Sequence, residues 1–309
     1  MTPSHLEVGF EWRGLRLAGG LHLPACEPPH PAVLMLQGSG PSDRDNDDYF
    51  PPLKAELIAR GLAVYSFDKP GTGQSEGDWR DYGLEERAAQ AVAALDLLRG
   101  LPEIDRRRLG IFGHSQGGWL VQMLAGRVSD LVFAITSSGP SLTLEEQNLY
   151  GCEHTMRAEG HSEDNIEHAL AFLRRAHEAA LRGDDFATIE RDWLAEARAQ
   201  PWYGYFDIAD ERDWNLAQIF AREHFDPLEA LAGVRCPFLA IFGGRDPLLP
   251  AWRGAEEVGT ALSDNPDATV IVFPGANHRM RDERGELAAG YIDLLGAWAA
   301  RRAGVAGQP

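Results

Sequence analysis

The sequence has few cysteines and no long apolar runs, and each absence excludes a class of protein. Its three cysteines, Cys26, Cys152 and Cys236, are too few and too scattered for a disulfide framework, and no two stand at metal-ligand spacing. The longest apolar runs, such as Leu131–Ile135 and Phe238–Phe242, have the length of a strand rather than of a bilayer span. We therefore expect no disulfide scaffold, no transmembrane segment and no metal site.

Clusters of Lys and Arg are also lacking, and the formal net charge is -18. Binding to nucleic acid or to an anionic membrane needs clustered cations, so neither partner is expected. The stretch Met1–Trp12 carries Glu7 and Glu11 and lacks the basic start and apolar core of an export signal. With 44% hydrophobic and 25% charged residues, the composition predicts a soluble globular protein. Because no export signal is found, the cytoplasm is the expected location, and the oligomeric state stays open.

From Pro31 onward, short β-rich runs alternate with segments of helical period, which is the pattern of a parallel sheet flanked by helices. The predicted strands are Ala32–Leu36, Leu62–Phe67, Arg108–Phe112, Leu131–Thr136, Phe238–Phe242 and Thr269–Phe273. The predicted helices are Pro52–Arg60, Leu84–Arg99, Gly118–Gly126, Trp252–Leu262 and Gly285–Ala299. Earlier in the chain, Leu6–Trp12 and Leu15–Leu23 flank Arg13-Gly14 and predict an antiparallel hairpin.

The alternation stops between about Pro140 and Phe225, a stretch far longer than an ordinary loop. Apolar residues recur there at helical spacing, in the stripes Ile166, Leu170, Leu173, His177, Ala180 and Phe186, Ile189, Trp193, Ala197. We therefore predict a core domain of residues 1–139 and 226–309, with a helical cap of residues 140–225 inserted in it. His177 is expected to be packed in the interior of that cap.

The pattern G-x-S-x-G occurs twice, around Ser115 and around Ser75. In this pattern the glycines allow a sharp turn from a strand to a helix that exposes the serine hydroxyl. Ser115 directly follows a predicted strand and leads at once into a predicted helix, whereas Ser75 has neither neighbour. The context therefore predicts that Ser115 is a nucleophile and that Ser75 is a structural loop residue.

A serine hydroxyl needs an imidazole to take its proton and a carboxylate to orient that imidazole. Asp246 follows the predicted strand Phe238–Phe242, and His278 follows Thr269–Phe273, so both come after Ser115 in the expected chain order. Taken singly, each could be an ordinary turn residue. Together with Ser115 they predict a Ser-Asp-His triad.

Attack on a carbonyl also needs N–H donors for the oxyanion that forms. The backbone of Gln116 is the first predicted donor. The second is expected from Gln37-Gly38-Ser39-Gly40, where Gly38 and Ser39 stay open as alternatives. The charged run 43–48 that follows is expected to be mainly solvated, and the alternative is that Arg44 pairs with an acidic neighbour to hold the turn.

These motifs resemble the α/β-hydrolase superfamily, and in particular its prokaryotic esterases and serine-aminopeptidase-like members. The resemblance is carried by Leu17–Pro24, by Gly38-Ser39-Gly40-Pro41 and by the loop Asp68–Ser75, which is similar to the family pattern D-x-P-G-x-G-x-S. It implies a mostly parallel, eight-stranded sheet flanked by helices. Gln37 departs from the His found in many relatives, but backbone donors should tolerate the change.

The resemblance implies a carboxylesterase that forms an acyl-enzyme on Ser115, acts on a small acyl substrate and needs no cofactor. Aromatic residues of the cap are candidates for an acyl pocket, although they could equally pack the cap: Trp202, Tyr205, Phe206 and Trp214. An aminopeptidase, with a carboxylate such as Glu153 or Asp207 for the substrate ammonium, an acyl thioesterase and a catalytically silent binding protein remain alternatives. A haloalkane dehalogenase is disfavoured, because its nucleophile would be Asp.

Overall fold

A computed structural model describes residues 2–206 and 208–305 and has an eight-stranded sheet at its centre. Its strand order is β1-β4-β6-β5-β7-β8-β9-β10, in which β4 runs antiparallel to β1 and β6 and all other neighbours are parallel. The strands are Ser4–Glu7 (β1), Phe10–Trp12 (β2), Leu15–Leu17 (β3), Gly19–Leu23 (β4), His30–Leu36 (β5), Ala63–Phe67 (β6), Ile104–His114 (β7), Leu131–Ser137 (β8), Phe238–Gly243 (β9) and Ala268–Phe273 (β10). The predicted mostly parallel, eight-stranded sheet is therefore confirmed.

The α-helices of the described residues are Phe50–Ala59 (α1), Leu84–Gly100 (α2), Gln116–Arg127 (α3), Leu144–Ala158 (α4), Glu163–Arg182 (α5), Phe186–Ile189 (α6), Ala195–Ala197 (α7), Glu211–Arg222 (α8), Pro227–Ala232 (α9), Ala251–Ala261 (α10) and Tyr291–Arg302 (α11). Of these, α1 and α11 cover one face of the sheet, and α2, α3, α9 and α10 cover the other. Successive side chains of β5 alternate between two apolar cores: Leu34 packs with α2, α3, α9 and α10, and Val33 packs with α1 and α11. None of the described helices is long and apolar enough to cross a membrane.

The N-terminal hairpin turns where the sequence predicts it. Trp12 pairs with Leu15, and both turn residues have positive φ, 49° at Arg13 and 80° at Gly14. Two positive φ angles are typical of a type I′ turn. The twist of this turn matches the right-handed twist of the two strands that it joins. Only β2 and β3 form this two-stranded ribbon, whereas β1 and β4 pair with each other at the edge of the large sheet.

The last helix begins later than the sequence predicts. Helical period suggested a start at Gly285, but α11 begins at Tyr291, and Leu287 pairs with Arg281 in an isolated antiparallel bridge. Gly285 and Gly290 both take left-handed φ angles, 78° and 81°, which a continuous helix excludes. Within the shorter helix, the predicted apolar face is nevertheless buried against the sheet.

Helices α4–α8 pack around an apolar core of their own. In α5 the buried residues are Ile166, Ala169, Phe172, Ala176, Ala179 and Ala180. The buried face of α5 is therefore rotated relative to the predicted stripe, and Leu170 and Leu173 are only half-buried. The small alanines on the buried face allow neighbouring helices to pack closely. The prediction of an interior His177 is wrong: its side chain is 27% exposed and its Nε2 lies 3.3 Å from the carboxylate of Glu145. The division into a core domain of residues 1–139 and 226–309 and a cap of residues 140–225 stays a prediction.

Candidate active site

Ser115 forms the junction between β7, which ends at His114, and α3, which begins at Gln116. Its backbone has φ 54° and ψ -119°, a conformation that costs a non-glycine residue on the order of 1–3 kcal/mol. The chain therefore makes a strained turn at the predicted nucleophile. Such strain persists only where the surrounding packing over-determines the backbone.

The glycines of the motif provide that packing. A Cβ added to Gly113 would lie 2.0 Å from the carbonyl oxygen of Gly117, and one added to Gly117 would lie 2.2 Å from the carbonyl oxygen of Leu36. Both distances are far below van der Waals contact. The pattern G-x-S-x-G is therefore required here by the close approach of backbone segments, as well as by the turn itself.

Asp246 and His278 lie together at the carboxyl edge of the sheet, in the loops after β9 and β10. The Nδ1 atom of His278 is 2.7 Å from Oδ2 of Asp246, whose side chain is only 1% exposed. The other carboxylate oxygen of Asp246 accepts the N–H of Leu248 at 2.8 Å. This arrangement fixes the imidazole with Nδ1 protonated and leaves Nε2 as the atom able to accept a proton.

A chain of buried hydrogen bonds joins the loops that carry the predicted site residues. The N–H of Gly38 donates to Oδ1 of Asn46 at 3.2 Å, and Nδ2 of Asn46 lies 3.2 Å from Nδ1 of His114. The Nε2 atom of His114 is 3.1 Å from the carbonyl oxygen of His278. Since a carbonyl can only accept, His114 carries its proton on Nε2 and accepts from Asn46 on Nδ1.

His114 is thus a neutral spacer between the serine turn and the histidine loop. Burial holds its pKa well below the ordinary value for histidine, and the positive charge that His278 can carry acts in the same direction. The rings of His114 and His278 have their centroids 5.1 Å apart. The hydrogen bonds of Asn46 and His114 therefore connect three segments of the chain: the loop of Gly38, the turn at Ser115 and the loop of His278.

The geometry distinguishes between the two alternatives for the second oxyanion donor. The N–H of Gly38 is already bonded to Asn46, whereas Ser39 is exposed and directly follows. A Cβ added to Gly38 would lie 3.5 Å from the Cβ of Ser115, so this loop runs against the serine turn. The N–H of Ser39 is therefore favoured over that of Gly38.

The other predicted donor is the backbone N–H of Gln116, and the side chain of this residue is fixed by a hydrogen bond. Its Oε1 accepts a hydrogen bond of 2.5 Å from the guanidinium of Arg87, which is itself buried. Burial lowers the pKa of Arg87 to about 10. As the first residue of α3, Gln116 has its N–H at the positive end of the helix dipole.

Ser75 has a different environment. Its hydroxyl donates to the carbonyl oxygen of Asp68 at 2.7 Å and accepts the N–H of Ala18 at 2.9 Å. These bonds tie the loop after β6 to the link between β3 and β4. They are consistent with the structural role predicted for Ser75.

Of the aromatic residues predicted for a substrate pocket, Trp202 and Trp214 lie in the core of the helical segment, and Tyr205 and Phe206 are half-buried against that core. Trp214 is 1% exposed and donates its Nε1–H to the carbonyl oxygen of Asp184 at 2.7 Å, and Trp202 is 7% exposed. Phe206 packs against the ring of Phe172, and the hydroxyl of Tyr205 lies 3.0 Å from Nε2 of His161. These contacts favour packing over contact with a substrate.

Of the carboxylates considered for a substrate ammonium, Glu153 forms an ion pair with Arg157 at 2.9 Å, and Asp207 lies outside the described residues. In the charged run 43–48, Asp43, Asp47 and Asp48 are exposed, as the sequence predicts, whereas Arg44 and Asp45 are half-buried and paired. Arg44 forms two hydrogen bonds from its side chain to the buried Asp68, and Asp45 pairs with Lys54 at 2.6 Å. Within residues 2–206 and 208–305, no three His, Cys, Asp or Glu side chains converge as a metal site would require.

Sequence reasoning did not identify three side chains that contact predicted site residues. Asn46 accepts the N–H of Gly38, Lys69 donates to the carbonyl oxygen of Gly38, and Arg87 donates to the side chain of Gln116. Asn46 stood in a charged run, and Lys69 occupied a variable position of the pattern D-x-P-G-x-G-x-S. Arg87 stood on a predicted helix with no motif around it. No signal in a single sequence identifies their partners, which lie 8 to 68 residues away.

Comparisons with known proteins point to the same fold. The family model described as "Alpha/beta hydrolase family" matches residues 33–289. Esterase EstD of Thermotoga maritima is 24% identical over 278 residues, covering 87% of this chain and 59% of that protein. Esterase FrsA of Vibrio cholerae is 32% identical over 130 residues, covering 42% of this chain and 30% of that protein.

Among solved structures, the esterase Pf2001 of Pyrococcus furiosus superposes with a TM-score of 0.66 at 17% sequence identity, covering 96% of this chain and 91% of that one. At this identity the superposition supports the fold alone. The chain spans about three fifths or less of the two curated relatives named above. The match of the family model over residues 33–289, on a fold with the sheet order described here, establishes that the chain belongs to the α/β hydrolase family.

Proposed function

We propose that the protein is a serine hydrolase that cleaves carboxylic esters, with Ser115 as nucleophile, His278 as general base and Asp246 as the residue that orients His278. The observation that carries this proposal is the 2.7 Å hydrogen bond between Nδ1 of His278 and Asp246, on the same sheet edge as the strained turn at Ser115. An unactivated serine hydroxyl is a weak nucleophile at neutral pH. An oriented imidazole supplies the missing base.

In the proposed reaction, Oγ of Ser115 attacks the ester carbonyl while Nε2 of His278 takes the hydroxyl proton. The oxyanion accepts hydrogen bonds from the N–H groups of Gln116 and Ser39. The C–O bond to the alcohol then breaks, and His278 returns its proton to the leaving alkoxide. Water repeats the sequence on the acyl-enzyme, which releases the carboxylic acid and restores Ser115.

Carboxylic esters are the first substrate class because the two curated relatives reported above are named as esterases. For an aminopeptidase, the ion pair between Glu153 and Arg157 removes one candidate for binding a substrate ammonium. For a coenzyme A thioesterase, the net charge of -18 works against binding several phosphates. A catalytically silent binding protein would have no need of an oriented imidazole on the same sheet edge as a strained serine.

The test is a panel of substrates that differ only in the bond to be cleaved. We would compare p-nitrophenyl acetate, butyrate and octanoate with aminoacyl p-nitroanilides and with acyl thioesters, using Ser115→Ala as the blank. The proposal predicts ester turnover that is lost in the blank, with a burst of one p-nitrophenolate per protein if deacylation is slow. Turnover of anilides alone would support the aminopeptidase alternative, and ester turnover equal in both proteins would contradict the mechanism.

A further inference from the structure

The whole chain contains only two lysines, Lys54 and Lys69, and both side chains are buried. This is unusual, since lysine is among the residues least often buried. Both contact the loop that follows β5. The Nζ atom of Lys54 donates to the carbonyl oxygen of Arg44 at 3.0 Å and pairs with Asp45 at 2.6 Å. Lys69 reaches the other end of the same loop.

Lys69 contacts the backbone on both sides of Ser39. Its Nζ donates to the carbonyl oxygen of Gly38 and, at 2.9 Å, to that of Gly40. Burial, together with the positive charge of Arg87, holds its pKa well below the ordinary value for lysine. An ammonium offers three N–H donors and a neutral amine two, so both carbonyls are satisfied in either protonation state.

The orientation of the peptide between Gly38 and Ser39 follows from this contact. In a trans peptide the C=O and the N–H point in opposite directions within one plane, and the cis bond in the described chain is Pro28-Pro29. Because the carbonyl of Gly38 is directed at Lys69, the N–H of Ser39 must point away from Lys69. The loop runs against Ser115, since a Cβ on Gly38 would come within 3.5 Å of the Cβ of Ser115.

Asn46 also restricts the backbone of the loop at Gly38, because its side-chain oxygen accepts the N–H of Gly38. Rotation of the peptide between Gly38 and Ser39 would therefore break the bond from Lys69, leaving the carbonyl of Gly38 without that partner and the buried amine with only the carbonyl of Gly40. Leaving such groups unpaired is costly. Lys69 thus acts on the Ser39 N–H through the peptide plane, without touching the substrate.

We propose that Lys69 is a positioning residue that holds the N–H of Ser39 in the orientation needed to bind the oxyanion formed at Ser115. This inference rests on the proposed function, because an oxyanion site has meaning only if Ser115 attacks a carbonyl. It goes beyond that function by assigning a role to a side chain outside the triad. It also distinguishes the two lysines, since Lys54 contacts the loop at Arg44 and Asp45, away from Ser39.

The test compares Lys69→Met with Lys54→Met. Each substitution removes one buried amine that contacts the loop after β5. We expect Lys69→Met to lower kcat for an ester about 10²-fold, the typical effect of losing one oxyanion donor, with KM changed less than about threefold. Its rate of fluorophosphonate labelling at Ser115 should fall in parallel. Lys54→Met should retain kcat within about threefold, because the Ser39 peptide keeps its partner.

A second measurement uses the wild-type protein and needs no variant at Lys69. With only two lysines, a spectrum of protein labelled with ¹⁵N at the lysine Nζ contains two signals, which Lys54→Met assigns. Formation of a phosphonate adduct on Ser115 should shift the Lys69 signal and leave that of Lys54 in place. Unchanged kcat in a folded Lys69→Met protein, or an unmoved Lys69 signal in a fully labelled adduct, overturns the proposal for Lys69 alone. A wild-type protein that neither hydrolyses esters nor labels at Ser115 overturns the proposed function and this inference together.

Discussion

Ser115 and Ser75 stand in the same five-residue pattern, and the structure gives them different surroundings. Ser115 lies at a junction of strand and helix with φ 54°, whereas Ser75 lies in a loop where its hydroxyl both donates and accepts a main-chain hydrogen bond. A hydroxyl that donates its proton to a carbonyl cannot give that proton to a base without breaking the bond. The strand before the motif and the helix after it therefore distinguish a candidate nucleophile from a structural serine, and the glycine spacing alone does not.

Of the substitutions at the two serines and their partners, Ser115→Ala should cause the largest loss of turnover. We expect kcat for an ester to fall by about 10⁴-fold or more, because the attacking atom is removed. The melting temperature should change little, since alanine leaves the packing of the turn intact. Steady-state kinetics and thermal unfolding on the same preparation measure both quantities. Wild-type turnover in this variant would refute Ser115 as the nucleophile.

Asp246→Asn should have the next largest effect on turnover. The amide would still bond to His278 but would favour the wrong tautomer of the imidazole, so kcat should fall on the order of 10³-fold to 10⁴-fold. Fluorophosphonate labelling at Ser115 should slow in proportion. A variant that keeps wild-type kcat would mean that the 2.7 Å bond between His278 and Asp246 only supports the loop.

Ser75→Ala should give the smallest loss of activity and a measurable loss of stability. Removing the hydroxyl leaves the carbonyl of Asp68 and the N–H of Ala18 without a partner, which should lower the free energy of unfolding by about 1–2 kcal/mol. The value of kcat should stay within about twofold of the wild type. Denaturant unfolding and ester kinetics together test this, and a loss of turnover without a loss of stability would overturn the assignment of the two motifs.

The parts of the fold that were predictable from the sequence are those encoded locally. Strand β8 and the turn at Arg13-Gly14 follow from short apolar runs and from a two-residue turn signal. The roles proposed for Asp246 and His278 follow from chain order, because successive parallel strands bring their following loops to one edge of the sheet. No long-range contact had to be known for any of these.

The parts that were not predictable depend on partners distant in the chain. Arg44 reads as one charge in a polar run, and its burial against Asp68 requires the folded sheet edge. Asn46 and His114 are 68 residues apart and meet only after β5 and β7 pair. The late start of α11 at Tyr291 was missed because the left-handed turn at Gly290 does not alter the helical period of the apolar residues.

Intact-protein mass spectrometry after treatment with a fluorophosphonate, applied to the wild type, Ser115→Ala and Ser75→Ala, tests most directly whether Ser115 is the nucleophile. We expect one adduct per chain in the wild type and in Ser75→Ala, mapped by peptide analysis to Ser115, and no adduct in Ser115→Ala. An adduct that persists in Ser115→Ala, or that maps to Ser75, would contradict the assignment of Ser115 as the nucleophile.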